Sequence, residues 1–417
     1  MAARRMAAVD AQFYWMSAKV PSDEFLLYAF DGAPADPGGA LEEVRRRAQA
    51  CPELTLRVED GCALTYPRWV PTAVTPEQVV CHHLADRSWQ ACLSAVAGFA
   101  DSQLDLRRMP WRVHVFTPVL GVAGVEGPGT VAVLQIPHAL ADGVRGAALA
   151  AWLFGRAVPV PEVRRPSPGI FAWRAARAAW SHRGLVRDTR AGLLAPGAGT
   201  RPALATNTRP DGVRSMRTLV RHRSQLRGPS VTVAVLAAVS TALSRLLPDA
   251  TDMLGAEVPM AKTGVLQANN HFGNVVVGLY PQLELDARLD RIATDLANGR
   301  RRFEHPATRA GDRAFATVPA PLLRWGISRF DADARSAQVL GNTVVSSVNR
   351  GPADLRFGDA RVVLTAGYPG LSPSMGLTHG VHGIGETVAI SVHAAESVFR
   401  FGDADVDAYL ELLDAAL

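Results

Sequence analysis

Residues 131–146, VAVLQIPHALADGVRG, constrain this chain more than any other stretch. The apolar run VAVLQI has the composition of a strand buried on both faces of a sheet. It stops at Pro137, and a helix of small and apolar residues, GVRGAALAAWLFG, is predicted at 143–155. Such a strand–loop–helix unit belongs inside a packed α/β domain. The loop delivers His138, with Asp142 and Gly143 at the spacing HxxxDG. Its side chains are held from both ends by rigid elements. The pattern suits acyl transfer without a covalent enzyme intermediate. A neutral imidazole takes the proton of a bound hydroxyl or amine, which then attacks a thioester carbonyl. In this reading Asp142 turns back to hold the loop, and Gly143 lets the backbone pass where a Cβ would clash.

With 417 residues, 48% hydrophobic and 20% charged, the chain suits two globular domains rather than a disordered segment. Its net charge of +5 rests almost wholly on arginine, since the lysines are Lys19 and Lys262. Arginine-favouring codons explain that excess, and so does affinity for phosphates of a nucleotide-bearing co-substrate or a lipid surface. No nucleic-acid partner is expected. The cysteines, Cys51, Cys62, Cys81 and Cys92, form no C-x-x-C pair. Cys81-His82-His83 with Cys92 is the one zinc set to weigh; the expectation is reduced thiols, no metal and a cytoplasmic location. Residues 1–15 lack a signal-peptide core, and no apolar run reaches the ~20 residues that span a bilayer.

Three segments follow from composition. Residues 1–160 hold the HxxxDG motif, with predicted strands at 24–33, 111–118 and 130–137, a hairpin at 53–70 and helices at 38–51 and 87–100. Residues 161–212 form a basic, Pro/Gly-rich linker containing a helix at 170–187. That helix carries Phe171, Ala175, Ala178, Leu185 and Val186 on one face, and Arg174, Arg177, Arg183 and Arg187 with Trp173 and Trp180 on the other. It reads as a helix packed on the protein's own surface or as one lying in a membrane interface. Residues 213–417 alternate strands (214–222, 253–260, 274–280, 342–348, 361–367, 387–393) with a buried helix at 230–246 and a closing helix at 404–416. Neither half carries a dinucleotide fingerprint or a P-loop, GVHGIG at 380–385 included, and no G-x-S-x-G elbow occurs.

Five segments in order resemble the bacterial wax ester synthase/diacylglycerol acyltransferase family, within the CoA-dependent acyltransferases of chloramphenicol-acetyltransferase-like fold. They are AAVDAQFYW with Asp10 and Phe13, SQLDLRRMPWR at 102–112, HxxxDG, NNHFGNVVVGLYP at 269–281, and VVSSVNRGP at 344–352. Three positions depart from the family pattern. Pro137 replaces the first of two histidines, and Met109-Pro110-Trp111 stands for Pro-Leu-Trp. Thr232 and Val233 replace an Asn-Asp pair, which raises the prospect of altered or absent activity. A second double histidine, His82-His83 with Asp86, lacks the glycine and a leading buried strand.

The resemblance implies an α/β (α+β) fold of two chloramphenicol-acetyltransferase-like subdomains with mixed sheets enclosing a tunnel. It implies an acyl-CoA-dependent O-acyltransferase that passes a long-chain acyl group to diacylglycerol or a fatty alcohol. No cofactor is needed, since acyl-CoA is a co-substrate. His138 would be the base, with Asp142 and Gly143 shaping its loop and Gly273, Asn274 and Trp111 at substrate-binding positions. Two alternatives stand beside it: a lipid-binding homologue with weakened or lost chemistry, and transfer to a polyketide or glycolipid hydroxyl. A lipid acceptor implies peripheral contact with the inner membrane or lipid droplets, for which the basic stretch 164–190 is the candidate.

Overall fold

Strand Gly129–Pro137 is the axis of the first half, with all nine residues buried. It runs antiparallel between Asp23–Phe30 and Arg112–Val119. Alternation along these strands divides the core in two, because successive side chains point to opposite faces. Leu26, Tyr28, Leu134 and Ile136 face helices Pro37–Gln49 and Gly143–Leu153. Phe25, Leu27, Val131 and Val133 face helix Trp89–Phe99. The apolar run therefore is a central strand, as its composition predicts.

A computed structural model describes residues 3–164, 169–247, 252–399 and 403–417. The first six-stranded sheet has the order Arg356–Phe357, Ala360–Gly367, Asp23–Phe30, Gly129–Pro137, Arg112–Val119, Val79–His82. The second has the order Phe272–Gly278, Gly255–Ala261, Thr343–Asn349, Leu377–Ile384, Thr387–Ala395, Arg214–His222. Both mix parallel and antiparallel pairs. The second sheet packs on helix Val231–Leu246, capped by Ser230, and on Asp403–Asp414. Segment 380–385 is the end of strand Leu377–Ile384, so its glycines serve sheet packing rather than a phosphate loop. At Gly380 a Cβ would fall 2.0 Å from the Gly367 carbonyl oxygen.

Two crossings join the halves. Strands Arg356–Phe357 and Ala360–Gly367 come from the 213–417 stretch yet lie in the first sheet, where Ala360–Gly367 pairs with Asp23–Phe30. The loop between Gly255–Ala261 and Phe272–Gly278 reaches back over the HxxxDG segment. Helices Leu285–Phe303, Pro306–Phe315 and Ala320–Ser328 fill the region between the strands expected at 274–280 and 342–348, where no helix is expected above although Leu285, Leu289, Ile292 and Leu296 stand at helical spacing. Helix Phe171–Arg190 packs on Pro306–Phe315, burying Leu185. Residues 165–168 of the basic stretch lie outside the described residues.

Candidate active site

His138 leaves the central strand one residue after Pro137, its backbone N–H donating to the Ser22 carbonyl at 3.1 Å. Phe13 stacks on one face of its ring at 4.2 Å between centroids and 11° between planes, and Phe272 stacks at 5.3 Å and 18°. Nδ1 lies 2.7 Å from Asn270 Oδ1. The Asn270 amide is oriented by its other end, where Nδ2 donates to Asp10 Oδ1 (2.9 Å) and to the His138 carbonyl (2.7 Å). An amide whose nitrogen is so engaged presents its oxygen to the ring, so Nδ1 carries the hydrogen and donates. The lone pair of Nε2 is then left for chemistry, on a histidine that lines a cavity of about 1050 Å³.

Asp10 anchors this arrangement. Its carboxylate accepts the backbone N–H of Asn269 (2.9 Å) and of Asn270 (3.0 Å) as well as the Asn270 side chain. Burial pushes its carboxyl up to about 6, against the pull of those donors and of Arg145. Asp142 makes the second anchor. One oxygen caps helix Gly143–Leu153 through Arg145 N–H (2.9 Å), and the other accepts His271 N–H (2.8 Å) from the crossing loop. Asp142 thus holds the histidine loop and ties it to the other half at once.

Glu24 sits beside the base, with Oε1 3.5 Å from His138 Nε2. Burial pushes its carboxyl up to about 7; Asp142 also raises it, while His138 and Arg350 lower it. Oε2 is buried and has no hydrogen-bond partner. Arg350, buried in the same wall, donates to Thr365 Oγ1 and the Ala366 carbonyl and lies over the Tyr28 ring.

The cavity brings together His138, Asp142, Gly143, Gly273 and Asn274 from both halves. Gly143 has an ordinary backbone conformation, and its missing Cβ leaves room beside Val348, 3.4 Å from where that atom would be. At Gly273 a Cβ would come 2.5 Å from Phe303, so this glycine admits helix Leu285–Phe303. Asn274 donates to Glu257 at 3.0 Å on the sheet edge. Trp111 is a correction to the expected substrate contact. It is fully buried in the first core, donates Nε1–H to the Leu54 carbonyl at 2.8 Å, and lies outside the cavity lining. A side chain that large, at the head of a central-sheet strand, is drawn inward by its apolar area.

Thr232 lines the cavity and donates to Ser347 Oγ at 2.9 Å, whereas Val233 belongs to the second core. The described hydrogen bonds of His138 involve neither residue. His82 pairs with His114 (2.9 Å) and stacks on Phe116, and Cys92 is buried in the core. Sequence reasoning missed Asn270, Glu24 and Arg350. Asn270 and Arg350 lay inside recognised segments, whereas Glu24 follows Asp23 at the start of strand Asp23–Phe30, and nothing local tells the two acids apart.

No protein-family model and no curated protein matches this sequence. Solved structures share its fold. The wax ester synthase/diacylglycerol acyltransferase from Marinobacter aquaeolei VT8 superposes with a TM-score of 0.63 at 16% identity, over 99% of this chain and 98% of that one. The starter condensation domain of rhizomide synthetase, in complex with C8-CoA and Leu-SNAC, superposes with a TM-score of 0.62 at 14% identity, over 99% and 93%. The same domain with C8-CoA gives 0.60 at 14%, over 99% and 95%. The architecture is therefore the two-subdomain α/β fold, with mixed sheets, that the resemblance implies.

Two outcomes test the site. Asn270→Leu removes the acceptor that fixes the His138 tautomer, and any turnover that uses His138 as its base should slow by about 10²-fold or more. A rate within twofold of the parent would remove Asn270 from the site. Glu24→Gln isolates the buried carboxyl. Its folded value of about 7 lies above the ordinary 4.5, so the neutral form favours the fold below pH 4.5 and that advantage is lost as pH rises through 7. The stability of Glu24→Gln relative to the parent should thus climb between pH 4.5 and 7, by up to about 1.4 kcal/mol per pH unit, and level off above that. A pH-independent difference in chemical denaturation would contradict it.

Proposed function

We propose that this chain is an acyl-CoA-dependent O-acyltransferase of the wax ester synthase/diacylglycerol acyltransferase type, acting on a lipid hydroxyl. The observation that carries the reading is the lone pair of His138 Nε2, left free in a cavity between two halves while Nδ1 is tied to Asn270. A hydroxyl against Nε2 gives up its proton there as its oxygen attacks the thioester carbonyl carbon. The carbon–sulfur bond breaks, and the thiolate takes the proton back from Nε2. Asp10 and Asn270 hold the ring in register through the cycle. The scheme draws on no cofactor beyond the acyl-CoA co-substrate. Full-length likeness to an acyltransferase, and to a condensation domain solved with C8-CoA, supports that donor. A second cavity, lined by Arg4, Arg5, Arg68 and Arg164 beside Asp10 and Asn269, offers counter-charges to its phosphates.

Loss of chemistry is the weaker reading, because the residues that replace the Asn-Asp pair make no described hydrogen bond to His138. Purified protein given radiolabelled long-chain acyl-CoA and a panel of lipid alcohols, diacylglycerol and fatty alcohol included, should form ester and release CoA thiol. His138→Ala should lower the rate by at least ~10²-fold; equal rates in the two proteins would end the assignment.

A lipid acceptor must also be reached. Among the described residues no helix is long and apolar enough to cross a membrane. Helix Phe171–Arg190 turns its apolar face to the protein and leaves Trp173 and Trp180 largely exposed, one stripe with Arg177 and Arg187. Tryptophans beside arginines suit the headgroup layer of an anionic bilayer, each arginine adding ~1 kcal/mol. Co-sedimentation with anionic vesicles should fall on raising salt, and fall further in Trp173→Ser/Trp180→Ser. Equal pelleting of parent and variant would remove the membrane from this scheme.

A further inference from the structure

One acid in the cavity has no task in transfer to a simple alcohol. Glu24 heads a strand whose next residues, Phe25, Leu26 and Leu27, are all core. A carboxyl in such a place costs free energy unless something hydrogen-bonds it. Asp142, in the same cavity wall, has a backbone donor on each oxygen. Glu24 Oε2 has none, and its Oε1 approaches only His138 Nε2, at 3.5 Å. The positive charge of Arg350 acts on Glu24 through space but gives it no hydrogen bond, the described bonds of that guanidinium going to Thr365 and to the Leu27 and Ala366 carbonyls. The Glu24 side chain keeps 24% of its surface, in the wall of the cavity that would hold the acceptor. Oε2 is sealed from the cavity, so the oxygen open to a ligand is Oε1, which stands beside Nε2 with no hydrogen-bond donor among the described residues.

A hydroxyl engaged by Nε2 has spent its one hydrogen. A lone fatty alcohol or a diacylglycerol would leave the neighbouring carboxylate without a donor. The two acceptors, Nε2 and Oε1, are about as far apart as donors on adjacent carbons. We propose that Glu24 is an acceptor-recognition residue, taking a hydrogen bond from a second hydroxyl or an amine on the carbon next to the nucleophilic hydroxyl. The acceptor class is then a lipid 1,2-diol or 1,2-amino alcohol. The bonds made and broken stay those of the transfer step: the nucleophile's proton passes to Nε2 and on to the thiolate, while the second donor keeps its hydrogen. This inference rests on the proposed transferase reading and refines its substrate.

The test compares 1-dodecanol, 1,2-dodecanediol and 2-amino-1-dodecanol at pH 8, in the full chain and in Glu24→Val and Glu24→Gln. With a long-chain acyl-CoA present, kcat/KM for the diol or the amino alcohol should exceed that for dodecanol by about 10- to 100-fold, the worth of one hydrogen bond to a buried charge. In Glu24→Val that ratio should fall to about 1. Glu24→Gln, which keeps an acceptor oxygen without the charge, should preserve part of the diol advantage and lose most of the amino alcohol's. The ratio, not the rate, is read, so a variant that merely weakens the fold does not mimic the result. A calorimetric titration without acyl-CoA gives a second readout. The diol should bind the parent about 10-fold or more tighter than dodecanol, and Glu24→Val should erase the difference. Turnover of all three acceptors at equal kcat/KM, or equal binding, overturns the role of Glu24 while leaving the transferase intact. Selective binding without turnover of any acceptor overturns the transferase and leaves the recognition site standing.

Discussion

The hydrogen-bond chain from Asp10 through Asn270 to His138 is the interaction on which the rest of the site depends. It links residues 260 positions apart and belongs to both halves, so neither half can form it alone. Its hub is a buried anion, and burying an anion is unfavourable unless donors surround it. Here three donors converge on one carboxylate, and two of them are backbone N–H groups of the crossing loop. The loop conformation and the ionisation of Asp10 thus stabilise one another. Position 270 is restricted by chemistry, since its side chain must accept from an imidazole and donate to a carboxylate at the same time. An amide does both and has a second N–H for the His138 carbonyl; a carboxylate has no hydrogen to give, and a hydroxyl has only one.

A cavity between two halves would close if the halves packed face to face. They are instead joined at two seams, by the strands 356–367 added to the first sheet and by the loop that ends at His271. Between these seams the walls mix glycines with large side chains such as Phe13, Phe272 and Tyr368, and Gly143 leaves room beside Val348 of the other half. Asp142 serves both purposes, capping a helix in one half while binding the backbone of the other. The aspartate of the HxxxDG pattern is therefore a joint between domains, and the four-residue spacing reflects that geometry. The imidazole needs the strand end, and the carboxylate needs the first turn of the helix.

Most of the architecture could be read from periodicity, because the strands that matter are long, apolar and bounded by turns. Strand Gly129–Pro137 and helix Val231–Leu246 matched expectation to within a residue or two. Strand Leu377–Ile384 did not, since its two glycines and two histidines disguise a buried central strand. The helices between 285 and 328 were legible but unread: Leu285, Leu289, Ile292 and Leu296 stand at helical spacing, with arginines and acids between them. His138 and Asp142 were legible because a local spacing encodes them. Asn270 and Glu24 were not, because their partners come from distant segments, and pairing across 114 residues (Glu24 with His138) or 132 (Asn270 with His138) leaves no local pattern. Trp111 misled for the opposite reason: it stands in a recognisable segment, yet its burial and its bond to Leu54 serve the core.

The two acids around His138 show how structural and available groups can be told apart by their donors. Asp142 is saturated on both oxygens by backbone N–H groups, and nothing entering the cavity could improve its situation. Glu24 stands among apolar neighbours with one oxygen unpartnered and the other 3.5 Å from the base. Selection for stability alone would favour an apolar residue at that strand position, since an unpaired carboxyl there costs free energy that no contact within the protein returns. A ligand that donates to Oε1, the oxygen open to the cavity, offsets part of that cost. Other polar groups line the cavity, among them Thr232, Asn274, Ser347 and His382, but Glu24 is the carboxyl that stands beside Nε2. An acceptor's chemistry is therefore read first at these two neighbouring atoms.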